Sequence, residues 1–590
     1  MADNKNIAVR QISGAESAIV QRITKIFSEL TTYRNIFAGQ WEEGAILADP
    51  DSRNTFYYGS YNFPGMKKTQ QQVDASTALA VQQFCAIADS MITPRNRLWH
   101  GLESDAYVMK DRATREYFDQ VRAILFDYRY RAHSGFQGQN FRKWKSTACY
   151  GNATMFVDAL DLRVTRGQPG LRYRAIPLGQ TFFLENHQGI VNGLIRWWRQ
   201  TAQQAVEQFG EDRLPATLRP ALDQNLQTPF QFLHCVMARD PDEFDPERMD
   251  AKGKPFSSHY MSVEGQCLMA EEGGYNTFPY VVDRYDQNPY ETYGRGPLQL
   301  ALPGVKTLNA EKAMFLKVGH RAADPVYLTK DDGIIGFDQT PGAMNKGGVS
   351  EDGKPMVLTL QPGDLQITEK MMLEERGLIE QFFLTPLFKT LMQNPNMTAT
   401  QVVELINERA MLVAPTLGRQ HSEYVGNLVP REIDLLSRMR VNGRPVLPPM
   451  PPRLREAQGH YEVTDTSPLA LQAKASQAAG GLRTLDVAHQ IAINSGDPSI
   501  YDQFEFDVML PEIGQMNEMP ERWSASPQSL AAKRKNRSAQ AQRQAAIQAL
   551  PAQASMVKAQ AVAAKVQQPF AGAGQGLPQP QNAPPQGPPA

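Results

Sequence analysis

Two long helical patterns flanking a short segment punctuated by glycine and proline constrain this chain more than any other feature. Gly304 to Asp324 has helical spacing and is stopped by Asp324-Pro325. Pro325 to Gly363 then holds three short runs of strand type, VYLT, IIGF and MVLTL. A second helix is predicted from about Asp364 to Phe383, with Ile367, Met371, Leu378 and Phe382 on one stripe. Helix, small β module, helix implies an antiparallel stalk bearing a folded tip. The first helix carries Lys306, Lys312, Lys317 and Arg321 against Glu311 and Asp324. The second carries Asp364, Glu369, Glu374, Glu375 and Glu380 against Lys370 and Arg376. The opposite biases allow pairing within a copy or between copies, although each exposed pair contributes only about 0–1 kcal/mol.

Around this stalk the chain alternates helices and strands. Ile19, Ile23, Ile26, Phe27, Leu30, Tyr33 and Ile36 predict a long helix ended by Asp49-Pro50. A second is predicted from Asp74 to Thr93, stopped by Pro94, with Leu79, Phe84, Ile87 and Met91 on its apolar side. Helices are expected at 114–132 and 200–210, and strands at TMFVDAL, FFLE and GLIRWWRQ. Thr398-Ala399-Thr400-Gln401 fits a capping box. The loop PTLGRQHSEYVGN leads to a helix near 430–440, and the run VLPPMPPRL precedes a helical segment from Ser467-Pro468. From Ser524 the composition turns to Ala and Gln, with a helix carrying Lys533, Arg534, Lys535, Arg537 and Arg543. The residues after Gln568 hold almost nothing that forms a core and are expected to be disordered.

At 590 residues the chain exceeds one hydrophobic core, with roughly three to five domains expected. A net charge of -1 argues against tight capture of phosphates by the chain as a whole, though not against a protein past which DNA slides. No apolar run suits a signal peptide or approaches a membrane helix. Cys85, Cys149, Cys235 and Cys267 form no CxxC pair and read as reduced, packed residues of a cytoplasmic protein. Gly348 to Lys354 has the GxxxxGK skeleton, but Pro355 stands where a phosphate loop needs a Mg²⁺-binding hydroxyl. A polar hairpin tip is the better reading. Asp240, Asp242, Glu243, Asp245, Glu247 and Asp250 lack the spacing and turn glycine of a calcium loop, since Pro241 and Pro246 interrupt them. His234-Cys235 lies in the apolar run FQFLHCVM and reads as packed strand. Without HExxH, GxSxG or a spaced Cys/His set, neither catalysis nor a metal nor a cofactor is expected.

Several stretches in one order resemble the podovirus head-to-tail connector family of portal proteins. They are Arg34, Trp41 and Asp49-Pro50; Asp74 to Met91 with Thr93-Pro94 and Trp99; Tyr293-Gly294-Arg295-Gly296-Pro297 with Leu302 to Asn309. Asp324-Pro325 with Asp331-Asp332-Gly333, Met397 to Thr400, and Ser467-Pro468-Leu469-Ala470 complete the series, over roughly residues 15 to 530. The resemblance implies an α+β, mainly helical portal fold of wing, two-helix stem, small β-containing clip and helical crown. It implies a ring of about twelve copies at one capsid vertex. Its partners would be double-stranded DNA, the terminase large subunit, major capsid and scaffolding proteins, and head-tail adaptor or tail proteins, with no membrane. It would sit in the virion, and in the host cytoplasm during assembly. The expected segments are wing 1–300, stem helix 301–324, clip 325–363, stem helix 364–387, wing 388–454, crown 455–565 and disordered tail 566–590. Lys306, Lys312, Lys317 and Arg321 become candidates for the DNA channel. Arg419, Gln420 and His421 become candidates for a tunnel loop at about 415–427. Asp331, Asp332, Lys346, Glu351 and Asp352 become candidates for terminase or adaptor contact, as exposed loop residues. The rival readings are another ring or internal protein of the particle, or a packaging ATPase, which would need the nucleotide site that Pro355 spoils.

Overall fold

A computed structural model describes residues 13–566, apart from 61–64, 161–166, 330–337, 339, 361–364, 387–417, 467, 497, 517–518 and 520–522. It divides into two units, Met1–Met519 and Pro520–Ala590.

The first unit is built on long helices. Helix α1 (Gly14–Ala48) starts at Ser13, whose hydroxyl accepts the Glu16 N–H at 3.2 Å, and ends where Pro50 cannot continue it. Helices α2 (Ser76–Ile92) and α3 (Arg112–Arg129) lie where they are expected, although Leu79, read on the apolar side of α2, is 55% exposed; α4 (Phe136–Tyr150) is a helix that the sequence reading did not include. Strands β1 (Asn152–Ala159) and β2 (Leu171–Ile176) pair antiparallel. A larger sheet runs β3 (Thr181–Glu185), β4 (Val191–Thr201), β5 (Pro229–Ala238), β6 (Phe256–Ser262) and β7 (Cys267–Leu268), with β8 (Gly273–Tyr275) also on β6. Its register opposes Ile195 to Cys235 and Trp197 to Leu233. Alternate side chains therefore leave opposite faces. Ile195, Trp197, Leu233 and Cys235 meet Val20, Ile23 and Phe27 of α1. Trp198 and Phe232 meet Ala205 of α5 (Ala202–Phe209) on the other side. Strand β9 (Tyr280–Arg284) completes the three-stranded sheet beside β1.

Helix α6 (Pro297–Ala323) begins earlier than Gly304, the start expected from the sequence. Pro303 lies inside it, and the burial of Leu298, Ala301, Leu302, Val305 and Leu308 holds the early turns despite the missing N–H. Strands β10 (Tyr327–Thr329) and β11 (Val357–Thr359) pair antiparallel, as VYLT and MVLTL foretold, whereas IIGF lies outside the described residues. Helix α7 (Leu365–Phe382) returns from the tip. The capping box at Thr398 also lies outside the described residues.

The expected loop at 415–427 is a helix wherever it is described. Residues 418–420 are helical, His421–Val425 forms a π turn, and α8 (Gly426–Arg438) continues through Pro430. Glycines at 418 and 426 and Pro430 each disfavour a helix locally. Burial of Tyr424, Val425, Leu428 and Val429 outweighs those local preferences, and the wide turn precedes the proline that cannot donate. A strand at Glu462–Asp465, just before α9 (Pro468–Ser495), pairs with His100–Glu103, so residues after 455 still belong to the same core. The second unit contains α10 (Pro527–Val566). No described helix is long and apolar enough to cross a membrane.

Candidate channel and assembly surface

Helices α6 and α7 make the stalk. A Cβ built at Gly304, near the start of α6, would stand 2.9 Å from Glu375 Oε2 and 3.8 Å from Ile379, near the end of α7. The root is tied to the segment before α2. Asn309 Oδ1 accepts the N–H groups of Val73 and Asp74 at 2.8 and 3.2 Å, and Asn309 Nδ2 donates to the Gln71 carbonyl. Arg376 Nη2 meets Asp74 Oδ2 at 2.7 Å. Burial pushes the Asp74 carboxyl up, but hydrogen bonds from Ser76 and Arg376 prevail and hold it below its usual range. Lys306 pairs with Glu43 of α1. Lys306 and Arg376, two of the charges expected to pair between stalk helices or between copies, thus tie each helix to the body. Between the helices, Glu311 is raised by burial and by the neighbouring Glu375. These anchors had no sequence signal, since Asn309 and Val73 are 236 positions apart.

The four basic channel candidates do not share one face. At about 100° per residue, Lys306, Lys317 and Arg321 fall within an arc of roughly 60°, and all three are exposed. Lys312 falls well outside that arc, half-buried, with Nζ 5.1 Å from the centre of the Phe315 ring.

The apolar stripe read on α7 is not its buried face. Ile367, Met371, Leu378 and Phe382 are 59, 50, 50 and 44% exposed, whereas Met372, Ile379 and Phe383 are buried. The helix therefore carries two apolar stripes, one turned into this subunit and one left open. Met314 and Leu316 of α6, and Val326, Leu328, Leu358 and Leu360 of the tip, are exposed as well. An open apolar band of this extent is larger than a surface left to water usually carries.

At the tip, Val349 bridges Pro355, Ser350 N donates to the Lys354 carbonyl at 2.8 Å, and Gly353 N donates to Ser350 at 2.9 Å with φ +75°. The GxxxxGK sequence is thus a polar hairpin turn running into β11, not a loop opening a helix. Lys346, Glu351 and Asp352 stand exposed there, while Asp331 and Asp332 lie outside the described residues.

Arg419, Gln420 and His421 are engaged with the body instead of projecting from a loop. Gln420 is fully buried; Lys143 Nζ donates to its Oε1 at 2.9 Å, and its Nε2 donates to the Arg284 carbonyl at 3.0 Å. Arg419 donates to Gln287 Oε1 at 3.0 Å, and His421 Nδ1 is 3.8 Å from Asp465 Oδ1. Behind them, Lys143 lies 3.2 Å from Asp283 Oδ2, and burial pushes its ammonium down to about 8.

His234 is core, as expected. Its ring stacks on Tyr260 at 4.0 Å, and burial holds it well below the usual histidine range. Asp250 of the acidic run pairs with Arg248, and Asp240 is 3.6 Å from Arg22. Among the described residues, no three His, Cys, Asp or Glu side chains are grouped to hold a metal ion.

The profile of the family described as bacteriophage head to tail connecting protein matches residues 20–524. The portal protein of Salmonella phage epsilon15 is 23% identical over 453 residues, which cover 74% of this chain and 78% of that one. The probable portal protein of Bordetella phage BPP-1 is 24% identical over 341 residues, covering 57% of this chain and 60% of that protein. A chain in the virion of a native gene transfer agent particle is 13% identical, with a TM-score of 0.31 over 72% of this chain and 85% of that one. A chain in the neck of an empty particle of that kind has a TM-score of 0.32 at 12% identity, over 71% of this chain and 89% of that one. Scores this low add nothing to the assignment, which rests on the match spanning most of the sequence. The chain belongs to the bacteriophage head to tail connecting protein family: it is a structural component of a phage virion, a portal joining head to tail.

Proposed function

We propose that about twelve copies of this chain close into a ring at one capsid vertex, with an axial channel through which terminase packages duplex DNA and from which the genome is later ejected. The observation that carries the reading is the open apolar stripe of Ile367, Met371, Leu378 and Phe382 beside the exposed apolar groups of α6. Burial of such side chains contributes about 25 cal/mol per Å², and a neighbouring stalk is the surface of matching length and chemistry. In this reading α6 and α7 are the stem and residues 325–363 the clip. Residues 1–300 and 388–454 form the wing, and the crown follows within 455–565. The clip, with Lys346, Glu351 and Asp352 on its hairpin and with Asp331 and Asp332 as further candidates from the sequence, faces terminase during packaging and the tail adaptor afterwards. The wing meets major capsid and scaffolding proteins. Assembly takes place in the host cytoplasm, and the ring ends in the virion.

The channel wall in this reading is sparsely basic. A ring neutralising many phosphates at each level would grip DNA in a salt-dependent way and stall its movement. Lys306, Lys317 and Arg321 supply a thin line of positive charge, with Lys312 set apart from them. Changing Lys306, Lys312, Lys317 and Arg321 together to Gln is expected to leave rings intact while lowering the amount of DNA packaged or retained per particle. Quantitative measurement of DNA in purified particles checks this. Normal filling with intact rings removes these residues from the channel.

A further inference from the structure

The near-zero net charge of the chain hides a segregation. The 69 residues from Arg522 to Ala590 hold eight Lys or Arg and no Asp or Glu, a charge of +8; the other 521 residues hold 53 basic and 62 acidic groups, a charge of −9. Five of the eight cations, Lys533, Arg534, Lys535, Arg537 and Arg543, lie within eleven positions of α10, and every residue from Ala531 to Gln544 is exposed. The helix is 40 residues long, about 60 Å at 1.5 Å per residue.

Three properties narrow the partner. Lys533, Arg534 and Arg537 lie within an arc of about 100°, close enough to address one row of anions. Lys533 and Arg537 are one turn apart, and like charges at that spacing disfavour a helix by about 0.2–0.5 kcal/mol, with no carboxylate in the segment to offset them. A row of external anions would reverse that sign. From Ala531 to Ala546 the only apolar side chains are alanines, so this stretch has neither the large apolar face of a membrane-lying helix nor an anchor for a protein pocket.

We infer that the Lys533–Arg543 stretch of α10 is a sequence-independent binding site for the phosphate backbone of duplex DNA. The identity of the polyanion rests on the reading of this chain as a DNA conduit; the basic helix itself does not. Such an arm differs from the channel wall in holding DNA by counterion release, not letting it slide. Three contacts per arm give a slope of log affinity on log salt of about −3, roughly a 40-fold loss between 50 and 200 mM salt.

The test is binding of the full-length chain to a mixed-sequence duplex, read by fluorescence anisotropy at both salt concentrations, with each sample imaged for rings. Gln at positions 533, 534, 535, 537 and 543 is expected to weaken binding at least about tenfold at 50 mM salt and to reduce the salt slope by about 3. A second variant that exchanges Lys for Arg and Arg for Lys at the same positions should bind as the parent does. Equal binding by parent and Gln variant overturns the inference. So does competition by polyglutamate as effective per charge as by DNA, which would assign the arm to an acidic protein. Absence of rings from the parent sample counts against the ring reading alone, because the arm is judged by the difference between variants.

Discussion

Replacing Glu432 with Ala is expected to destabilise the first unit by about 3–5 kcal/mol, the usual cost of stranding one partner of a buried ion pair. Arg129 and Glu432 are both completely buried, and Arg129 Nε donates to Glu432 Oε1 at 2.9 Å. The same oxygen accepts the Tyr173 hydroxyl, and the guanidinium lies 4.2 Å from the centre of the Trp99 ring. Burial alone would push the Arg129 guanidinium down; the Glu432 charge outweighs it and holds the group above its ordinary value. Without that carboxylate, an obligate cation stays in the core among aromatic rings. Urea unfolding followed by tryptophan fluorescence measures the loss. The double change Arg129→Met with Glu432→Leu should recover most of it, since packed apolar groups often replace a buried pair at little cost. A single variant as stable as the parent would show that the pair does not hold α3 to α8.

Gly151→Ala is expected to be nearly as damaging, for a steric reason. Gly151 ends α4 with φ +69°, and a Cβ there would lie 2.3 Å from the Arg295 carbonyl carbon and 2.4 Å from the Gly296 nitrogen. The neighbouring contact is two-way: Asn152 Nδ2 donates to the Gly294 carbonyl, and Asn152 Oδ1 accepts the Gly294 N–H, both at 2.8 Å. This backbone leads directly into Pro297 and α6, so the displacement falls on the root of the stalk. Positive φ and forced overpacking each cost about 1–3 kcal/mol, and the sum should show in soluble yield and denaturation midpoint. Gly319→Ala is the control, because nothing lies within 4 Å of its Cβ in mid-helix. There Ala should gain up to about 1 kcal/mol. Equal behaviour of the two variants would mean that the 151–296 contact is not tight.

The stalk was legible because its signals are local. Asp324-Pro325 ends the first arm, glycines and prolines punctuate the tip, and helical spacing fills both arms. The strands of the large sheet were legible one by one, but their order joins residues far apart, and no local pattern encodes it. On α7 the sequence offers two apolar stripes, and periodicity cannot say which meets its own subunit. Gly418, Gly426 and Pro430 look like a break until Tyr424 and Leu428 are seen to be enclosed. The basic channel set was chosen by type alone, and geometry separated Lys312 from the other three. Net charge misled in another way, because an average over 590 residues conceals an acidic body and a basic C-terminal helix.

Electron microscopy of the purified full-length chain tests the central claim most directly, with Ile367→Glu/Leu378→Glu beside it. The account predicts closed rings of about twelve subunits around an open bore, and folded single subunits for the variant, whose charges would be buried between stalks. A parent chain that stays a lone subunit under every assembly condition, or a variant that closes rings as readily as the parent, would contradict it.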